Sequence, residues 1–279
     1  MAFNKNELIL DKVRSMTTHD LSNGKMLFRL TSLEDPSLQC TAEGEEITDA
    51  IGAVITTLYR AKKATFSATN SLISLDLAAA QYGAKKIAAG VTKDEKGNVI
   101  APTITDYTYE IITIPMEDDG NGEKKPVAEV KLAHVPVNEI KYIYSIENNE
   151  VGTAYTAASA ASETEFVIAE DGTITLPTDL AGKIYVEYQF ESENAIRIVN
   201  KASQFPEACS AIIYAYFRDK CNENLLYSGK IIIKKAKLNP ESIELALTST
   251  GKHSFEMTMM RDYCAEEGED ELFSIIVAE

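Results

Sequence analysis

The stretch "ATFSATNSLISLDLAAAQYG" (residues 64–83) changes its periodicity half way along. In its first half, small or apolar residues alternate with hydroxyl residues, and a period of two is typical of a β-strand. The sequence therefore predicts a strand with one apolar face and one uncharged polar face. That polar face carries Thr65, Ser67 and Thr69.

The second half of the stretch, residues 74–82, has the period of a helix. Leu75, Ala78, Ala79 and Tyr82 recur at positions i, i+3, i+4 and i+7. The glycine that follows is suited to a left-handed C-terminal cap. We predict one short helix here, with these four residues packed against a sheet.

Strand patterns dominate the rest of the chain. Short segments rich in β-branched and aromatic residues alternate with turn residues, and a weaker helical pattern lies at residues 5–15. The sequence predicts a mainly β protein. The other predicted strands are residues 25–31, 54–59, 107–114, 140–146, 184–190, 211–217, 230–233, 243–247 and 273–277.

The middle third of the chain has the texture of a separate domain. Between residues 103 and 190, short strands recur about every 8 to 12 residues, a spacing typical of a small β-sandwich. We predict an inserted immunoglobulin-like domain at residues 103–190. Residues 1–102 and 191–279 would then combine into one discontinuous domain, because neither flank alone has many strands.

The charge balance argues against tight binding to nucleic acid. The chain has 43 Asp and Glu against 27 Lys and Arg, a net charge of −16. Clamping DNA or RNA depends on Lys and Arg neutralising phosphates. The sequence also has no apolar run long enough to span a membrane, no pattern of an export signal, and four widely spaced cysteines. We therefore expect synthesis in the cytoplasm with reduced thiols.

No pattern in the sequence indicates catalysis, a metal or a cofactor. The three histidines lie in unrelated segments, and no nucleophile or phosphate-binding motif occurs. Residues 117–128 match the start of a calcium loop, but Ala128 stands where a glutamate ligand is required. We expect a solvated hairpin loop there and another solvated loop at the acidic residues 266–272. The sequence predicts that the protein is not an enzyme.

A second two-sided strand occurs in "CSAIIYAYFRD" (residues 209–219), where Tyr214, Tyr216 and Arg218 alternate with smaller apolar residues. A strand with substantial side chains on both faces belongs to a sheet that is covered on both sides, by the same chain or by a neighbouring subunit. Tyr214, Tyr216 and Arg218, together with the hydroxyl residues 65, 67 and 69, are our candidate subunit-interface or lumen residues.

Three stretches together give the sequence a resemblance to the tail tube (major tail) proteins of long-tailed bacteriophages. They are "GKMLFRLTSLEDPSLQC" (residues 24–40), the strand and helix of residues 64–83, and the closing series of strands in residues 205–264. In that series a strand, a charged turn at residues 218–224, a second strand and a later alternating strand follow in the order associated with the family.

The resemblance implies both a fold and a function. The fold would be a β-sandwich or partial barrel flanked by one helix, with the immunoglobulin-like domain inserted. Six copies would form a ring, and rings would stack into a tail tube that conducts DNA during ejection. The implied partners are other copies of the chain, tape measure, terminator, and baseplate or sheath proteins, together with DNA that passes without tight binding. The net charge agrees with a conduit that repels phosphate.

Other functions fit the same sequence features. One alternative is another virion component, a capsid decoration protein or another head or tail accessory protein. Such a protein would use the immunoglobulin-like domain as its functional part. A receptor-binding or carbohydrate-binding adhesin module is the other alternative. In each case the strands act by pairing or binding. The resemblance to tail tube proteins implies a location in the tail of the virion.

Overall fold

The computed structural model describes residues 7–94, 96–118, 120, 122–220, 224–241, 243–247, 251–261 and 271–278. The chain divides into two compact units, one made of Met1–Lys86 with Ile198–Glu279 and the other of Ile87–Arg197. The predicted bounds of the inserted domain, 103 and 190, fall inside the second unit. The prediction of a mainly β fold is confirmed.

The first unit is formed by the two ends of the chain, and the second unit lies between them in sequence. The first unit opens with β1 (Leu8–Asp20), β2 (Met26–Leu30), β3 (Leu33–Thr48), β4 (Val54–Asn70) and α1 (Leu75–Tyr82). The second unit contains β5 (Ile87–Ala88), β6 (Ile104–Thr113), β7 (Met116–Asp118), β8 (Lys124–Pro126), β9 (Glu129–Lys131), β10 (Tyr142–Glu147), β11 (Glu150–Ala157), β12 (Glu165–Ile168), β13 (Thr173–Thr175), β14 (Lys183–Ser192) and β15 (Ile196–Arg197). The first unit resumes with β16 (Ala208–Asp219), β17 (Leu226–Leu238), β18 (His253–Met259) and β19 (Ser274–Ala278).

The first unit is built on one eight-stranded sheet that curls into a half-barrel. Its strand order is β2-β1-β16-β17-β18-β4-β3, with β19 added beside β17. Along β17, residues 228–232 pair with β19 and residues 236–238 pair with β18. One long strand therefore has two partners in succession on the same edge, which allows the sheet to turn at that point.

Alternation in three strands creates the core of the first unit. Residues of β18 alternate between buried and half-buried along its whole length, as do those in the first two thirds of β16 and the second half of β4. Phe66 and Phe255 meet across β4 and β18 with ring centroids 6.1 Å apart. Burying each such side chain contributes about 1.5–3 kcal/mol. The core is therefore on one face of the sheet only.

The helix α1 is confirmed, but its buried face differs from the prediction. Ser74 caps its N-terminus by accepting a hydrogen bond from the Leu77 amide, and Gly83 ends it in the left-handed region with a φ of 64°. Ala78 and Ala79 are buried as predicted, whereas Leu75 is 45% exposed and Tyr82 is only half-buried. The buried positions that the pattern missed are Leu77 and Gln81.

The helix is rotated towards Gln81 because that polar side chain has buried partners. Its amide nitrogen donates to the carbonyl oxygen of Ser254 at 3.2 Å, and its amide oxygen contacts the ring of His253. A buried amide with its hydrogen bonds satisfied costs little, so a polar residue can take a core position. The periodicity of apolar residues alone favours Leu75 for that position.

Two other predictions are wrong. The segment predicted as a weak helix at residues 5–15 is strand from Leu8 onwards, since β1 pairs with β16 along its whole length. The predicted strand at residues 243–247 makes only an isolated bridge between Leu245 and His253. The acidic run falls mostly outside the described residues, at 266–270, as do parts of the expected hairpin loop of residues 117–128 (119 and 121) and of the charged turn (221–223).

The second unit has its own sheet and its own core. Seven strands lie in the order β6-β14-β10-β11-β12-β13-β9, and two-stranded pairs join β5 to β15 and β7 to β8. Ile143, Phe166, Ile174 and Ile184 are completely buried in its core. In the part of the chain that the structure describes, no helix is both long enough and apolar enough to span a membrane.

Candidate assembly surface

The strands β3 and β4 form a hairpin that extends beyond the core. The two strands pair from Leu33 and Asn70 at the base to Thr48 and Val54 near the tip. Residues 41–63 are exposed except for the half-buried Thr57. We call residues 41–63 the arm. The base of the same hairpin is part of the sheet, and β3 and β4 continue from the sheet into the arm. The sheet therefore sets the direction in which the arm extends.

The tip of the arm is a tight, well-satisfied turn. The carboxylate of Asp49 accepts hydrogen bonds from the amides of Ile51 (3.0 Å) and Ala53 (2.8 Å), and the Ala53 carbonyl accepts from the Asp49 amide. Gly52 has a φ of +86°, a conformation that glycine adopts without strain. The turn is therefore defined by bonds among its own residues.

The arm combines cross-strand ion pairs with exposed apolar side chains. Arg60 pairs with Glu45 at 3.2 Å, and Lys63 lies 3.9 Å from Glu43. Towards the tip, Ile51 is 90% exposed. The other large apolar side chains exposed on the arm are Ile47, Val54, Ile55, Leu58 and Tyr59. An isolated two-stranded hairpin is marginally stable, and a group of exposed aliphatic residues marks an interaction site.

The predicted hydroxyl residues of β4 lie at the base of this hairpin, on the face of the sheet opposite the core. Thr65, Ser67 and Thr69 are half-buried. The hydroxyl of Thr69 is 3.1 Å from that of Ser254, and Ser67 pairs with Glu256 on the neighbouring strand. The three residues therefore lie in an uncharged polar strip with a carboxylate beside it.

Tyr214, Tyr216 and Arg218 lie on the same non-core face, on β16, and are half-buried. Arg14 of β1 donates to the Tyr216 hydroxyl at 3.1 Å, with its guanidinium 5.9 Å from the ring centroid. Arg218 donates to Asp11 at 2.6 Å. Two of the three side chains are thus fixed by contacts to β1.

The structure places both candidate groups on one face without bringing them into contact. Both strands contribute their alternate residues to the core of the first unit, so the remaining residues of each point to the other side of the sheet. Between β4 and β16 lie β17 and β18. The candidates are therefore two separate strips of one extended surface.

Hydrogen bonds to the Glu34 carboxylate stabilise the base of the β3–β4 hairpin. Lys252 donates to the Glu34 carboxylate at 2.5 Å, and Ser71 donates to the same group at 2.7 Å. These hydrogen bonds, that from Lys252 first, hold the pKa of Glu34 below its usual value. The carboxylate is therefore ionised at neutral pH and ties the start of β3 to the segments beside it.

The sequence model of the YomU/Tube protein family matches residues 8–268. The chain belongs to this family. Its name marks a phage tube protein, a component of a virion, in agreement with the resemblance that the sequence suggested. Among curated proteins, no match is found.

The sequence patterns do not identify the arm of this YomU/Tube family member. They predict a strand at residues 54–59, but the charged residues in 60–63 separate it from the strand that follows. The signal is nevertheless present, because Ile47, Ile51 and Ile55 are apolar residues in a segment with no alternation that would bury them. Apolar residues in a segment that has no buried face of its own indicate contact with another protein or another copy of the chain.

Proposed function

We propose that this protein assembles into stacked, hexameric rings that form the tail tube of a long-tailed bacteriophage, a conduit for DNA during ejection. The observation that carries the proposal is the arm, an exposed hairpin with apolar residues at its tip, on a chain that belongs to a tube family. A surface of this kind is costly to expose in a monomer and is covered when subunits join.

The arm supplies the contact between subunits in this proposal. Its length is set by the pairs from Thr41 to Thr48 and from Val54 to Lys63, so it reaches well beyond its own core. Ile51 and Ile55, at and beside the tip, would be buried against a neighbouring subunit. The ion pair between Arg60 and Glu45 links the two strands of the arm.

The half-barrel supplies the wall of the tube. Within the described residues its edge strands, β2 and β3, end the sheet order and offer backbone groups to neighbouring subunits. Thr65, Ser67 and Thr69 on one strip, with Tyr214, Tyr216 and Arg218 on the other, are the residues proposed for the lumen or for subunit contacts. The net charge of −16 supports passage of DNA without tight binding.

The second unit is proposed to be an immunoglobulin-like domain, and it has no part in closing the ring. Tape measure, terminator, and baseplate or sheath proteins are the proposed partners at the ends of the tube. No catalytic group is needed for any of these roles. The proposal therefore depends on self-assembly alone.

Electron microscopy of the purified chain tests this proposal. Wild-type protein at high concentration is expected to form rings or short tubes with about six subunits per layer. Ile55→Asp, which places a charge on the arm where the side chain is 66% exposed, is expected to abolish them without changing the melting temperature. Ile100→Asp, at an exposed position of the second unit, is the matched control and should still assemble. Wild-type protein that remains monomeric would contradict the proposal.

A further inference from the structure

One face of the second unit's sheet is covered with tyrosines. β6, β14 and β10 are adjacent, and each turns every second residue away from the core. Tyr107 is 70% exposed and Tyr109 is 62% exposed. The tyrosines on this face are Tyr107, Tyr109, Tyr142, Tyr144 and Tyr185. We call these five residues the tyrosine face.

Four of the five rings form a connected row across the three strands, those of Tyr109, Tyr185, Tyr144 and Tyr142. Tyr109 and Tyr185 are stacked, with centroids 5.5 Å apart and an interplanar angle of 23°. The ring centroid of Tyr144 lies 6.4 Å from that of Tyr185, and the centroid of Tyr142 lies 6.5 Å from that of Tyr144. Offset and tilted pairs at these distances are mutually favourable. The row is therefore ordered before any ligand binds.

The strands behind the rings are fixed by the core of the unit. Ile143, Ile184 and Val186 alternate with the tyrosines and are completely buried. On the core side, Tyr188 donates to Glu110 and accepts from the His134 amide at 3.1 Å. Burial, followed by the bond to Glu110, raises the pKa of Tyr188 to about 12, so this hydroxyl remains protonated and keeps its bond. The row is held on a rigid support.

At one side of the tyrosine face, Tyr107, Tyr142 and Tyr144 line a shallow pocket of about 280 Å³ together with polar residues. This volume is near the lower end of the range for small-molecule sites, about 300 Å³. The Asn138 side chain is fixed there because its Oδ1 accepts a hydrogen bond of 2.7 Å from the backbone amide of Gln189. The polar residues that line the pocket, besides its tyrosines, are Asn138, Glu139, Lys141, Glu187 and Gln189.

We infer that the tyrosine face binds a neutral polysaccharide. A pyranose ring presents a flat C–H face that packs on an aromatic ring and hydroxyls at its rim that need hydrogen-bond partners. A row of rings with a pocket of acids and amides beside it provides both kinds of contact. An aliphatic protein partner would instead bury the pocket's carboxylates without giving them hydrogen bonds, which is costly.

Charge selects the class of polysaccharide. The pocket holds two carboxylates, Glu139 and Glu187, and one lysine, Lys141. The whole chain is also acidic, with a net charge of −16. A polyanion such as a uronic acid polymer, a phosphate-containing glycan or a nucleic acid strand is therefore disfavoured. The ligand is built from uncharged hexose or N-acetylhexosamine residues.

Glycan-array binding of the full chain, followed by calorimetry with laminarin, chitohexaose and polygalacturonate, tests the inference. We expect binding to a neutral glycan and weaker or no binding to polygalacturonate. Tyr107→Ala/Tyr109→Ala should weaken the neutral interaction at least tenfold, whereas Tyr107→Phe/Tyr109→Phe should keep most of it, because the stacking rings remain. Phe205→Ala, at an exposed aromatic residue of the first unit outside the arm, is the matched control and should bind as wild type does.

Several results would overturn the inference. These are no binding to any neutral glycan, tighter binding to polygalacturonate or to an oligonucleotide, or full binding by the double alanine variant. A change of oligomer size in that variant, without any glycan binding, would instead assign the tyrosine face to contacts between copies. Binding is measured per subunit and does not depend on tube formation, so it can succeed or fail independently of the proposed function.

Discussion

Nε2 of His253 lies 2.5 Å from Oε1 of Gln81, and both side chains are buried. The Ser74 amide, at the cap of α1, donates to Nδ1 of the same ring at 3.4 Å. Because Nδ1 accepts, Nε2 carries the hydrogen and donates to Gln81. One neutral imidazole thus joins the first and last turns of the helix to β18.

Replacing Gln81 by leucine should destabilise the first unit. The change leaves the His253 N–H and the Ser254 carbonyl without their partner in a dry environment, which costs about 2 kcal/mol. The free energy of unfolding from urea denaturation measures the loss. Gln204→Leu, at an exposed position, is the control and should change stability by less than about 0.5 kcal/mol. Equal effects of the two changes would contradict a role for the buried bond.

Acidification should weaken the same region. Burial lowers the pKa of His253 below its ordinary value of 6.5, so the unfolded chain takes up a proton before the folded chain does. The contribution to stability is complete above pH 6.5 and decreases as the pH falls towards the folded pKa, by about 1.4 kcal/mol for each pH unit between the two values. Unfolding measured across the range from neutral to mildly acidic pH should show a steeper loss in wild type than in His253→Asn. Parallel curves would contradict the prediction.

Gly83 should tolerate no side chain. A Cβ at this position would lie 2.1 Å from the Phe205 carbonyl oxygen, in addition to the cost of a φ of +64°. Gly24 has a similar φ of +70°, but no described atom lies within 4 Å of its Cβ position. We expect Gly24→Ala to cost about 1 kcal/mol and Gly83→Ala to cost at least about 3 kcal/mol. Thermal denaturation of both variants measures the difference, and similar losses would show that the backbone contact is unimportant.

Removal of the second unit should leave the first unit folded. β5 and β15 pair through Ile196 with Ala88 and through Arg197 with Ile87, so the two chain crossings lie side by side. Deleting residues 89–195 and joining the ends with a short Gly-Ser turn should preserve a cooperative transition. Deletion of residues 103–190, the bounds predicted from the sequence, is the comparison and should fold less well, because it leaves residues 91–102 without their own unit. An unfolded 89–195 deletion would contradict the prediction.

The strands of the core could be predicted because their buried apolar residues alternate with less buried residues along the sequence. β18 alternates along its whole length and β16 along most of it, and the helix has its cap residues at both ends. β1 could not be predicted from its own residues, since Lys12 and Arg14 interrupt any apolar alternation and its strand form depends on pairing with the distant β16. The residue pattern of one strand does not specify a pairing strand that is distant in sequence.

The candidate surfaces were only partly predictable for a related reason. Alternation identifies the polar faces of β4 and β16, but the arm has no buried face and therefore no such signal. Tyrosines two residues apart are visible in "YTY" and "YIY" (residues 107–109 and 142–144). Their union into one surface depends on β14 lying between β6 and β10, which no single segment specifies.

The distribution of charged and apolar residues along the arm also bears on aggregation of the free chain. Its charged pairs lie nearer the base, and its aliphatic residues lie near the turn at Ile51. Among the described strands both of its long edges are open, since β3 ends the sheet order and the first half of β4 pairs only with β3. Charges along such edges discourage random aggregation, while the tip stays adhesive. In the proposed assembly, copies would therefore join through the tip of the arm and not along its open edges.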